Sequence, residues 1–168
     1  MLTSLLMVAF AAAAPSISEG GNGTYTLSDS TAALATRTDA ALESTLDPMN
    51  FAVRMIAEGR LQDAITTCST YTFTTDDVQM RIQCDDKPPI KGALNGAPTS
   101  YTNEKDVTYS ITVQKSTDQV VFNYAGESAT QVTTYRFTDG GLVVSKEIRS
   151  ASLEVPMRWD TNYTRGTP

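Results

Sequence analysis

The side chains most suited to chemistry in this chain are aromatic and lie in its second half. Tyr109, Ile111, Phe122, Tyr124, Tyr135, Phe137, Met157, Trp159 and Tyr163 fall on the large apolar parity of successive alternating stretches, and Arg165 ends the last stretch. If that parity points into a closed sheet, the rings line a cavity. Tyr163 and Arg165 then offer a hydroxyl and a guanidinium, a pair suited to holding a carboxylate on an amphipathic ligand. Aromatic residues at period two are also what fills a small barrel, so ordinary core and ligand cavity both fit the pattern.

Other chemistries are excluded by what is missing. The chain has no histidine, which removes Ser-His and Cys-His nucleophile pairs, His acid-base catalysis and His-ligated zinc or haem. No Gly-x-Ser-x-Gly, P-loop or EF-hand spacing occurs. Asp76-Asp77 and Asp85-Asp86 are neighbouring acids at turns, which are ordinarily solvated, so no metal site, cofactor or catalytic residue is expected. With 13 basic and 19 acidic residues the net charge is −6. Nucleic acid and anionic lipid surfaces, which reward clustered Lys and Arg, are not expected partners.

From Thr70 to Arg165 the alternation continues as a β-meander. In the final stretch Leu153, Val155, Met157, Trp159 and Tyr163 share one parity, while Arg158, Asp160, Asn162 and Thr164 take the other. Strands are expected at 70–75, 78–84, 107–114, 119–125, 130–138, 142–149 and 153–163. Between 85 and 104 the pattern fails: Pro88, Pro89, Gly92, Asn95-Gly96 and Pro98 read as a long irregular loop with room for one short edge strand. Upstream, 23–27 reads as a short first strand. Asp29 and Ser30 can cap a helix with Leu34, Thr38, Ala41, Leu42 and Leu46 on one face. A second helix is expected to start at Asp47 and Pro48, carry Met49, Ala52, Val53 and Ile56 on one face, and stop at Gly59.

The fold class is therefore mainly β with two short helices: an antiparallel meander that closes into a barrel, with the helical pair inserted after the first strand. An NTF2-like cone, with helices packed inside a curved sheet, is the competing architecture. Residues 1–14, with an apolar run ending in small residues, have the form of a secretory signal peptide, which implies a secreted or periplasmic protein. That run is too short to span a bilayer, and no integral membrane segment is expected in the mature chain. Residues 15–22 read as a flexible lead-in and 23–168 as one domain.

In an exported protein the single pair Cys68 and Cys84 most simply forms a disulfide. A two-residue turn at Asp76-Asp77 would set Phe73 against Met80, Tyr71 against Ile82 and Cys84 against Ser69, one residue from Cys68. Such a bridge would stabilise the fold by about 3 kcal/mol.

The order strand, helix pair, meander, together with Asp139-Gly-Gly-Leu-Val-Val144 and the ending Tyr163-Thr-Arg165, resembles the calycins, the group of lipocalins and fatty-acid-binding proteins. Met49-Asn-Phe51, Glu58-Gly-Arg-Leu61, Thr133-Thr-Tyr135 and Leu153-Glu-Val-Pro-Met-Arg-Trp159 are also similar to a group of small exported bacterial proteins without assigned activity. The calycin resemblance implies a barrel with an apolar cavity under a helical lid, suited to a small hydrophobic molecule. It also singles out Tyr163 and Arg165, because calycins that bind fatty acids use a similar Arg and Tyr arrangement on the last strand. The lipocalin Gly-x-Trp is absent, Gly23-Thr-Tyr25 standing in its place. Three functions follow as expectations: a non-enzymatic binder of a small apolar or amphipathic ligand; an envelope interaction module with a solid barrel and an exposed apolar patch near 88–98; and a barrel-type isomerase or cyclase. Trp159 is expected to face inward.

Overall fold

The computed structural model describes residues 21–166 of the chain. The expected signal peptide and residues 15–20 of the lead-in lie outside the described residues. Strand β1 (Gly23–Leu27) is followed by helices α1 (Thr31–Leu46) and α2 (Phe51–Ala64). Nine strands come next: β2 (Thr70–Thr75), β3 (Gln79–Cys84), β4 (Ile90–Ala93), β5 (Thr99–Thr102), β6 (Thr108–Lys115), β7 (Gln119–Ala125), β8 (Ala129–Thr138), β9 (Gly141–Ser150) and β10 (Met157–Arg165). All pairings are antiparallel, and the ten strands run in the order β4-β3-β2-β1-β10-β9-β8-β7-β6-β5.

A sheet of this length curls, and here it curls almost to closure. Its two end strands, β4 and β5, share no ladder, but the Thr99 hydroxyl donates to the Lys91 carbonyl across the seam at 3.0 Å. Gly92 makes that approach possible. A Cβ at this position would lie 2.1 Å from Val113 Cγ2 and 3.0 Å from the Phe122 ring.

The segment expected to be an irregular loop thus holds two strands, not one at most. Both are four residues long, and the prolines beside them flank the one edge where no ladder continues, so the missing N–H donors leave no bond unmade. The β2–β3 turn is also longer than a two-residue hairpin. Thr75 pairs with Met80, Phe73 with Ile82 and Tyr71 with Cys84. The Asp76 carboxylate accepts from the backbone N–H groups of Val78 and Gln79, which closes a four-residue loop and leaves Val78 exposed. The register moves, but side-chain parity is unchanged. Strand β10 begins at Met157 instead of 153: Leu153 N–H closes a turn onto Ser150, and Pro156 has no N–H to offer a ladder, so Leu153 and Val155 lie before the strand.

Ser30 caps α1 as expected, its hydroxyl accepting from Ala33 N–H. Asp29 instead pairs with Arg37 at 2.5 Å and accepts from Asn162 N–H of β10 at 2.7 Å, tying the helix to the barrel. Helix α2 starts later than expected, because Asp47 ends α1 and Asn50 supplies the cap. Gly59 does not stop α2 but lies within it, with open space around it. The apolar face expected on α2 is largely uncovered: Val53 is 42% exposed and Ile56 63%, and within the helix only Leu61 is buried.

Two cores result. Tyr25, Phe73, Phe122 and Phe137 plug one part of the barrel, with Phe73 meeting Tyr25 and Phe137 edge to face at ring separations of 5.5 and 5.3 Å. Leu42, Leu46 and Leu61 of the helices pack on Ile148, Met157 and Trp159 to form the other. The seam makes a direct test. Gly92→Val drives a side chain into Val113 and Phe122 and is expected to destabilise the protein by about 1–3 kcal/mol, read as a lower urea midpoint at unchanged slope.

Candidate functional site

Strand pairing lays the inward side chains out in rows across β7 to β10. One row is Phe122, Thr133, Lys146 and Trp159; the row on one side is Tyr124, Gln131, Ile148 and Met157; the row on the other is Val120, Tyr135, Val144 and Thr161. The central row therefore carries a lysine into the barrel. Above the aromatic plug these rows open into a cavity of about 500 Å³ whose wall includes Tyr71, Tyr109, Tyr124, Gln131, Thr133, Tyr135 and Lys146. Its mouth lies between the end of α2 and the turns after β3 and β5. There Asp63 pairs with Lys105 at 3.6 Å and Lys87 with Glu104 at 3.1 Å, exposed pairs that hold little energy.

Lys146 is the electrostatic centre of this cavity. It is only 7% exposed, and its Nζ donates to the Thr66 carbonyl at 2.5 Å and to the Thr66 hydroxyl at 3.1 Å. It also lies 5.9 Å from the centre of the Trp159 ring, within range of a cation-π contact. Among the described residues no carboxylate pairs with it. Burial alone brings its pKa down to about 8.

The cavity wall also carries phenols. Tyr135 is in hydrogen-bond contact with Tyr71 and Tyr124, and burial pushes all three hydroxyls well above the usual tyrosine range. They remain protonated donors at any ordinary pH. Gln131 donates to the Thr133 hydroxyl at 3.0 Å.

The linker that presents Thr66 is fixed at two points. Cys68 is bridged to Cys84, as expected, with a Cα separation of 5.4 Å. The Tyr163 hydroxyl donates to the Cys68 carbonyl at 3.0 Å.

Of the residues singled out in the sequence, Tyr109, Tyr124 and Tyr135 stand on the cavity wall. Phe122 and Phe137 lie in the plug, and Tyr163 lies beside Tyr71 in the same core. Met157 and Trp159 belong to the core under the helices. Trp159 is 4% exposed, and its indole N–H lacks a partner among the described residues. Arg165 is exposed beside the start of β1, its guanidinium donating to the Asn22 carbonyl at 3.0 Å; the structure does not bring it to the cavity. Lys146, Thr133 and Gln131 were missed. The signal for Lys146 was present, because Leu142, Val144, Lys146 and Ile148 share one parity of β9, and a lysine on an apolar face is the anomaly to notice.

An almost closed ten-stranded antiparallel barrel with a helix pair inserted after its first strand is the calycin fold in the form taken by fatty-acid-binding proteins. Solved structures of that form match the chain along most of its length. A Schistosoma mansoni fatty acid binding protein in complex with arachidonic acid is 18% identical, with a TM-score of 0.53, 87% of this chain and 96% of that one being covered. Human cRBP IV is 16% identical with a TM-score of 0.52, covering 86% and 97%. The REP1-NXSQ fatty acid transporter is 14% identical with a TM-score of 0.51, covering 88% and 96%. Identities this low establish the fold alone. No family model and no curated protein sequence matches the chain.

The buried lysine has a consequence for stability. Folded Lys146 titrates near 8 and the unfolded residue near 10.5, so between those values the unfolded chain holds more protons and stability rises with pH. The full window is worth about 3 kcal/mol. Above pH ~10 the raised tyrosines oppose the trend, because unfolded tyrosines lose their protons first. Urea midpoints from pH 7.5 to 9.5 are expected to climb in the native protein and to stay flat in Lys146→Met.

Proposed function

We propose that the protein is a non-enzymatic binder that holds one small hydrophobic molecule with an acidic head in the barrel, the head against Lys146 and the tail among the tyrosine rings. The observation that carries this reading is the combination of a cavity of about 500 Å³ with one buried cation that has no counter-ion among the described residues. That volume falls in the ordinary range for small-molecule sites. A carboxylate entering it gains a charge-assisted bond to Lys146 and meets phenolic donors that are still protonated. Solved barrels of the same fold include one recorded with arachidonic acid, which supports the same ligand class here.

The apolar run at 1–14 supports export, and the disulfide suits an oxidising compartment. A solid barrel working through protein contacts fits less well, because a cavity of about 500 Å³ opens beside the aromatic core. The exposed apolar side chains expected near 88–98 are instead found mainly on α2.

Native mass spectrometry of the protein, followed by titration with palmitate under Trp159 fluorescence, tests the reading. One equivalent is expected to bind and shift the indole emission, and Lys146→Met is expected to weaken binding about tenfold or more. Absence of any stoichiometric complex with palmitate or with co-purified organic acids would sink the proposal.

A further inference from the structure

We infer that Lys146 also captures apolar aldehydes, forming a reversible imine inside the cavity. The inference rests on the proposed access of small apolar molecules to this space and extends it to a covalent step. Among the described residues there are five lysines; Lys87, Lys91, Lys105 and Lys115 are exposed, and Lys146 alone is buried. An amine attacks a carbonyl only through its unprotonated form, and a desolvated amine with no carboxylate beside it reaches that form most readily. With the amine near 8, about one-tenth of it is free at pH 7.

Geometry favours the same step. A neutral amine has two N–H bonds, and Thr66 provides two acceptors, its carbonyl at 2.5 Å and its hydroxyl at 3.1 Å. The nitrogen lone pair is then left for an electrophile. The cavity wall bearing Lys146 also bears Tyr124 and Tyr135, whose protonated hydroxyls are the donors a carbonyl oxygen needs.

The step balances without any co-reactant. The nitrogen lone pair forms a bond to the carbonyl carbon while the carbonyl π electrons move to oxygen. A proton passes from nitrogen to that oxygen to give a carbinolamine. The C–O bond then breaks with a second proton, one water leaves, and the C=N bond remains; nothing is oxidised or reduced. When the imine is protonated, its N–H donates to the same Thr66 carbonyl.

Dodecanal is the probe, added to the intact protein and followed by borohydride, which fixes an imine as a secondary amine. Peptide mapping is expected to find one modification, the mass of dodecanal less one oxygen, on Lys146, at about tenfold or more the level on any exposed lysine. Excess palmitate should suppress it. Lys146→Met and Lys146→Arg should abolish it, and mapping of the native chain locates the adduct even if neither variant folds. Label confined to the exposed lysines, while palmitate still shifts Trp159 emission, would overturn the imine and leave the binding function standing. Neither label at Lys146 nor palmitate binding would overturn both.

Discussion

The Lys146 ammonium lies inside the barrel with no carboxylate of the described residues against it, and a charge so placed costs several kcal/mol unless other groups solvate it. Two features of the surrounding structure reduce that cost. Thr66 turns a backbone carbonyl and a hydroxyl toward Nζ, and the Trp159 ring lies within cation-π range. Neither removes the charge, which stays inside the barrel without a paired carboxylate among the described residues. The Thr66 contact in turn depends on a linker that the Cys68–Cys84 bridge and the Tyr163 hydroxyl hold against the barrel. Cavity chemistry and the covalent frame are therefore connected through three residues of chain, 66 to 68.

The two cores explain how a barrel of this size can be stable and still hollow. Phe73 and its aromatic neighbours close one part with edge-to-face contacts, and Gly92 lets β4 lie close against Val113 and Phe122 beside the seam. The helices bury Leu42, Leu46 and Leu61 against β9 and β10, at one side of the opening. Most of the stabilising burial lies away from the cavity. The tyrosine and lysine wall is then free to be polar, as a ligand site requires and a close-packed core does not.

Much of the fold was legible because one rule governs it. Period-two alternation marked every long strand, and its parity survives errors of register. Thus Tyr71, Phe73 and Ile82, expected to share one face, all lie buried although the β2–β3 turn is two residues longer than expected. The short strands β4 and β5 were hidden by prolines that break propensity but sit where no ladder bond is lost. Helix α2 misled for the opposite reason: its apolar spacing is regular, yet Val53 and Ile56 of the expected face lie exposed, which composition alone cannot reveal. The site was half legible. Aromatic parity found Tyr109, Tyr124 and Tyr135, while attention to the last strand led to Arg165, which lies outside the cavity, and away from Lys146 on its neighbour.

In the function proposed above, a buried ammonium governs what enters the cavity. The direct measurement is a ¹³C titration of the lysine Cε resonances, with Lys146 assigned by its absence in Lys146→Met, in the free protein and with palmitate bound. Lys146 is expected to titrate near 8 when free, apart from the exposed lysines, and to move upward when a carboxylate is bound beside it. A Lys146 that titrates with the exposed lysines, or that is indifferent to a bound carboxylate, would contradict it.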